Sequence, residues 1–225
     1  MKFLPSNLRE QVTRRLVPVL DLFAGMGLSP NAWTTVGFLT TVSAGVAFFY
    51  GSLQMGGFLV LAGGFIDVVD GYVARKTGQV SRFGSFYDST LDRVSEIVVF
   101  LGVFSLYLGS EPNIGEPWMV YVVALAMAGS LLVSYTRARA EAMGIDCRVG
   151  LMQRAERILL LGIATLFFGS WRSGMVLTWV MFAMAILTNL TALYRIYWVY
   201  QHTRAQPAPA KAAPARRRAG TPANR

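Results

Sequence analysis

Apolar runs of about 20 residues recur between Asn31 and Leu193, separated by short polar segments. About 20 helical residues cross a ~30 Å hydrocarbon core, so such runs read as transmembrane helices. The sequence therefore predicts an all-α integral membrane protein with six spans. These fall at residues 31–50, 53–74, 84–108, a fourth centred on 118–133, a fifth running from its first turn at Arg154 to about 168, and a sixth at 175–193. With 54% hydrophobic and 15% charged residues, the chain is too apolar for an ordinary soluble domain. A net charge of +9 would suggest nucleic acid as the partner of a soluble protein. Here the basic residues flank apolar spans, so topology accounts for them and no nucleic-acid partner is expected.

Six spans place both termini on one side. Of the 21 Lys and Arg residues, only Arg172 falls in a loop on the other side, which predicts cytosolic termini in the cell membrane. The 109–117 loop carries Glu111 and Glu116 and no basic residue, as suits the outer face. Residues 1–29 read as an amphipathic juxtamembrane helix, with Leu8, Val12, Leu16, Val19 and Phe23 on one face and Lys2, Arg9, Arg14 and Arg15 near headgroups. Ser29 suits a helix cap and Pro30 a first turn. Residues 30–200 form the expected catalytic domain. The tail, 201–225, is rich in Pro, Ala and Arg and cannot build a core; Arg216, Arg217 and Arg218 would hold it to anionic lipid. The single cysteine, Cys147, excludes an internal disulfide and reads as filler.

Four aspartates stand out against this background. Asp67 and Asp70 close the second span; Asp88 and Asp92 open the third. Spacings of three and four place each pair on one helix face. Antiparallel helices joined through the short 75–83 connection would gather all four carboxylates. A carboxylate in a membrane helix costs roughly 2.5–3.5 kcal/mol at the centre on insertion scales. Hard divalent cations would offset both that cost and the mutual repulsion, which points to Mg²⁺ or Mn²⁺, two ions for four acids.

The full pattern is Asp67-x-x-Asp70-Gly71-x-x-Ala74-Arg75, eight residues, then Gly84-x3-Asp88-x3-Asp92. It resembles the signature of the CDP-alcohol phosphotransferases at every position. That resemblance spans about residues 8–200 and implies a CDP-linked lipid donor, usually CDP-diacylglycerol, with CMP as leaving group. It further implies a metal site at Asp67, Asp70, Asp88 and Asp92, and a nucleotide site that includes Asn31, Thr34 and Ser81. Gly71, Ala74 and Gly84 leave room for the nucleotide, and the Arg75 fork suits phosphate. Asp92, last in the motif, is the candidate general base, whether or not it also binds metal.

Arg137, Arg154, Arg157 and Arg195 fall at cytosolic span ends, where a phosphorylated acceptor would need them. The stretch 135–142, the Arg154-x-x-Arg157 step and the Asp88–Arg93 run are similar to the branch that makes phosphatidylinositol phosphate or its archaeal counterpart. The resemblance places Arg137, Arg157 and Arg195 around the acceptor phosphate. It implies an inositol phosphate acceptor and a homodimer. Glycerol phosphate, serine or free inositol is the rival acceptor. A divalent-cation transporter is a different reading of the same aspartates, but its polar groups should lie near the midplane of several helices.

Overall fold

The computed structural model describes residues 6–108 and 116–204, without the side chains of residues 6–15, 172 and 173. The expectations for the side chains of Leu8 and Val12, for Glu111, for the side chain of Arg172 and for most of the basic tail lie outside the described residues. Seven α-helices and no strand occur among the described residues: α1 (Ser6–Gly25), α2 (Pro30–Phe49), α3 (Leu53–Lys76), α4 (Arg82–Leu108), α5 (Met119–Ala142), α6 (Arg154–Phe168) and α7 (Met175–Thr203). A short 3₁₀ turn, Trp171–Gly174, precedes α7.

Local chemistry fixes the helix ends that matter for the site. The Ala32 N–H donates to Ser29 Oγ at 3.3 Å, and Pro30 occupies the first turn of α2, as the sequence predicts. At the end of α3, the Thr77 N–H donates to the Val73 carbonyl. Gly78 then takes a left-handed backbone (φ 69°), which reverses the chain. Ser81 Oγ accepts the Gly84 N–H at 2.9 Å and so starts α4. The sharp connection sets α3 and α4 side by side.

Small residues bring the helices close. A Cβ on Gly45 of α2 would lie 2.6 Å from the Val98 carbonyl of α4. Gly57 of α3 would clash in the same way with Thr165 of α6, and Gly129 of α5 with Thr188 of α7. Such contacts are how helices associate in lipid, where apolar surface alone gives no preference for a neighbour. Phe48, Phe100, Val103, Val123, Ala126, Met181 and Met184 fill the main core. A smaller cluster of Leu20, Trp33, Val69 and Val73 docks α1 against α2 and α3, with Phe23 edge-on to Trp33 at 5.3 Å. Asp21 of α1 also accepts hydrogen bonds from the Tyr72 hydroxyl and from Lys76 Nζ (2.5 Å).

Four helices, α2, α3, α5 and α7, are long and apolar enough to cross a membrane on their own. The other two expected spans are not. α6 has 15 residues, about 22 Å at 1.5 Å per residue. α4 has 27 residues, but Arg82, Asp88, Asp92, Arg93 and Glu96 crowd its first 15. Outward-facing apolar side chains such as Leu39, Tyr121, Phe167, Trp179 and Leu193 cover the bundle.

Candidate active site

α3 and α4 carry their aspartates to a shared surface beside the start of α2. One carboxylate oxygen from each of Asp67, Asp70 and Asp88 lies within 4.8 Å of the other two. Asp70 is 7% exposed, and its Oδ2, like Asp88 Oδ1, is buried with no hydrogen-bond partner. Unpartnered carboxylate oxygens inside a protein are costly unless something positive completes them. A set of three hard oxygen donors, two of them with open lone pairs, fits a divalent cation such as Mg²⁺ or Mn²⁺.

Asp92 stands apart from that group. Its Oδ1 is 2.5 Å from Arg154 Nη2, and its Oδ2 is 3.6 Å from Arg93. The same Arg154 reaches Asp67 Oδ2 through Nη1 at 2.7 Å. One guanidinium thus spans α3 and α4 from the first turn of α6.

Next to the acids a cavity of about 320 Å³ opens between α2, α3 and α4. Asn31, Thr34, Gly71, Ala74, Arg75, Ser81 and Gly84, the seven residues expected at a nucleotide, all line it. Asp70 and Asp88 form the wall it shares with the carboxylate group. The absence of side chains shapes it: a Cβ on Gly84 would sit 3.0 Å from Ser81 Oγ and 3.2 Å from Asn31 Oδ1. A Cβ on Gly71 would lie 3.2 Å from Arg75 Nη1, because the Arg75 side chain curls back over the glycine. Sequence reasoning missed Gln79, Val80 and Ser85, which also line the cavity. Their signal was position alone, since they belong to the connection and first turn between the two aspartate pairs.

The remaining arginines are arranged differently. Arg137 of α5 pairs with Glu141 at 2.8 Å, and both are more than 40% exposed. Arg157 is 2% exposed; its Nε donates to Glu96 Oε1 at 2.7 Å and its Nη1 to the Met152 carbonyl at 2.9 Å. Arg195 is 1% exposed and donates from Nε to the Val149 carbonyl at 2.8 Å and from Nη1 to the Val133 carbonyl. Arg137 and Arg157 lie within electrostatic reach of Arg195. Arg154 and Arg195 do not share partners: the first faces the acids, the second pins the α5–α6 loop. Cys147 is buried in that loop, where burial pushes its thiol pKa up. Glu96 was also missed by sequence reasoning, although a glutamate four residues beyond Asp92 in an apolar helix is a legible intramembrane charge.

Fold and site together define a multi-pass membrane protein with a carboxylate centre for a hard cation at the edge of a nucleotide-sized cavity. Residues 27–189 match the CDP-alcohol phosphatidyltransferase family, and the chain belongs to that family of metal-dependent enzymes. It is 35% identical to the archaetidylinositol phosphate synthase of Pyrococcus horikoshii over 193 residues, covering 85% of this chain and 94% of that one. Among solved structures it resembles the phosphatidylinositol phosphate synthase of Mycobacterium tuberculosis with CDP-DAG bound, at TM-score 0.73 and 26% identity, covering 83% of this chain and 94% of that one. The same mycobacterial enzyme in complex with manganese and citrate matches at TM-score 0.72 and 26% identity, over 81% and 88% of the two chains.

Proposed function

We propose that this chain transfers the phosphatidyl group of CDP-diacylglycerol to a hydroxyl of an inositol phosphate and releases CMP. The observation that carries the reading is the shared wall. Asp70 and Asp88 belong both to the three-carboxylate group and to the 320 Å³ cavity, so a diphosphate in the cavity would lie against the acids. The names of the relatives support inositol phosphate as acceptor and a CDP-linked lipid as donor.

In this reading Asn31, Thr34 and Ser81 hold the cytidine end, with Gly71, Ala74 and Gly84 leaving space for it. Arg75 binds phosphate through its planar fork. Two divalent ions held by Asp67, Asp70, Asp88 and Asp92 would neutralise the diphosphate and stabilise departing CMP. Asp92 takes the proton from the acceptor hydroxyl as its oxygen bonds to the lipid-bearing phosphorus. The P–O bond to CMP breaks, and CMP keeps the electron pair. Arg137, Arg154, Arg157 and Arg195 provide the positive field for the acceptor's phosphate.

We further propose that all six helices α2–α7 span the cell membrane, α4 and α6 with their charged ends buried in the protein. The chain would be a homodimer with α1 on the cytosolic face and residues 30–200 as the catalytic unit.

The deciding experiment supplies the purified full-length chain with CDP-diacylglycerol, Mg²⁺ or Mn²⁺, and one acceptor at a time: inositol phosphate, inositol, glycerol 3-phosphate or serine. CMP release with inositol phosphate, abolished by a chelator, is the expected result. Release with another acceptor alone would reassign the substrate. Metal flux without CMP release would replace the enzyme with a transporter.

A further inference from the structure

The position of Arg154 is at odds with a simple acceptor ligand. Its guanidinium lies between two acids, 2.7 Å from Asp67 and 2.5 Å from Asp92, and it is 21% exposed. It sets a positive charge against two of the acids that the metal reading assigns to the cation. Asp67 also belongs to the three-carboxylate group, so an ion held there stands against the guanidinium's charge, the more so if it takes the oxygens of Asp67 and Asp92 that Arg154 now holds. An arginine displaced by that repulsion inside a membrane protein needs another anion.

Glu96 provides one. It lies one helical turn past Asp92 on α4 and is 13% exposed. Its Oε1 accepts from Arg157 Nε at 2.7 Å and from Ser130 Oγ at 2.9 Å. Its Oε2 is buried and has no partner. Arg154 and Glu96 line one small cavity of about 40 Å³, together with Thr41, Ser95 and Arg157. Arg154 and Glu96 thus border one space, and Glu96 keeps an open acceptor atom.

We propose that Arg154 is a built-in competitor for the divalent cation. It bridges Asp67 and Asp92 when the ion is off and moves to the open oxygen of Glu96 when the ion binds. This rests on the metal reading given above. Glu96 is then a positioning residue: it touches neither substrate nor ion but sets how readily Arg154 yields. The competition keeps the acids paired before the ion arrives. It also ties cation binding to a movement of the arginine that links α6 to α3 and α4.

The test reads metal binding, without substrate or turnover. Mn²⁺ affinity of the detergent-purified full-length chain is measured by titration calorimetry and by the resonance signal of free Mn²⁺. Arg154→Gln is expected to tighten binding about tenfold, a shift of ~1.4 kcal/mol. Glu96→Gln, with Arg154 intact, should weaken it several-fold. In the double variant the Glu96 effect should vanish, because the group it receives is gone. Arg154→Lys keeps the charge but cannot bridge both carboxylates, and should fall between wild type and Arg154→Gln. Unchanged or weaker binding by Arg154→Gln overturns the proposal, as does a Glu96 effect that persists in the double variant. If Arg154→Gln does not fold, Arg154→Leu takes its place, alone and combined with Glu96→Gln, and the same two readings decide. Wild-type protein that binds no Mn²⁺ would remove the metal reading itself, a different failure from affinities that ignore Arg154.

Discussion

The two halves of the polar end use charge in opposite ways. In the α2–α3–α4 half, acidic oxygens are buried without partners and face a cavity. In the α5–α6–α7 half, Arg157 and Arg195 are more deeply buried yet spend most of their donors on Glu96 and on backbone carbonyls, with Arg157 Nη2 left open. Unsatisfied charge marks a place held ready for a ligand, at a cost to the folded chain. Satisfied charge marks a place that holds the fold. Burial alone does not separate the two, nor does one open atom, since Glu96 Oε2 and Arg157 Nη2 are also unpartnered; what differs is that Glu96 and Arg157 form an ion pair, whereas Asp70 and Asp88 have none among the described residues.

The largest expected effect comes from the unsatisfied half. Asp70→Asn removes a charge that nothing in the chain balances directly. Transfer should fall on the order of 10³-fold or more, beyond the 10²–10³ typical of one lost electrostatic donor. The folded chain should be as stable as wild type, or more so, since a buried like-charge contact is relieved. Measured together, CMP release must fall while the thermal unfolding midpoint holds or rises. A variant that loses activity and stability in parallel would erase the distinction between the halves.

The satisfied half predicts the reverse. Arg157→Leu leaves Glu96 buried with only Ser130 as a side-chain partner. Stripping one member from a buried ion pair costs about 3–5 kcal/mol, whereas replacing both members by apolar residues is often neutral. Arg157→Leu should therefore lower the unfolding midpoint clearly, and Glu96→Leu combined with Arg157→Leu should recover most of the loss. Detergent-resistant unfolding of the three proteins is the check. Equal stability of wild type and Arg157→Leu would show that the pair is not what locks α4 to α6.

The contrast between the halves also explains what the sequence made legible. The lining of the 320 Å³ cavity was legible residue by residue because the family resemblance named Asn31, Thr34 and Ser81, while Gly71, Ala74, Arg75 and Gly84 stand at fixed spacing from the aspartates on two helices joined by a short turn. Gathering Asp67, Asp70 and Asp88 needed only that turn. Arg154 meets Asp67 across 87 positions of chain, and no local spacing carries that information. Arg195 was recognisable as a charge at a span end, but its partners are carbonyls of Val133 and Val149, and every residue has a carbonyl. Asp92 was legible as the last acid of the motif; that it meets Arg93 and Arg154, the latter shared with Asp67, was not. The helix starts after Ser29 and Ser81 are decided by side-chain caps, a local effect; the one at Ser29 is legible from Ser-Pro, while the sequence marks Ser81 as a nucleotide contact and not as a cap.

The smallest effect belongs to a region outside both halves, where α1 meets the end of α3. Asp21 accepts hydrogen bonds from Lys76 and Tyr72, which hold its carboxyl pKa below the usual carboxylate value. The side chains of Lys76 and Asp21 are 46% and 43% exposed, so solvent and salt screen most of the attraction. The sign follows from the depressed pKa. The contribution is present at neutral pH and is lost only as the pH falls through the folded-state value, below the ordinary ~3.9 of an aspartate. Across pH 5–8, roughly the range of an activity assay, wild type should therefore show no titration from this group. Asp21→Asn should loosen α1 slightly at every pH in that range, as faster hydrogen exchange near Leu20 and Phe23, and change transfer by less than about twofold, as expected of one screened surface pair. The packing of Leu20, Trp33, Val69 and Val73 would still hold the helix in place. A loss of transfer comparable to that of Asp70→Asn would instead make α1 part of the reacting half, because Tyr72 stands two residues after Asp70 and would then be passing the position of α1 directly to the acids.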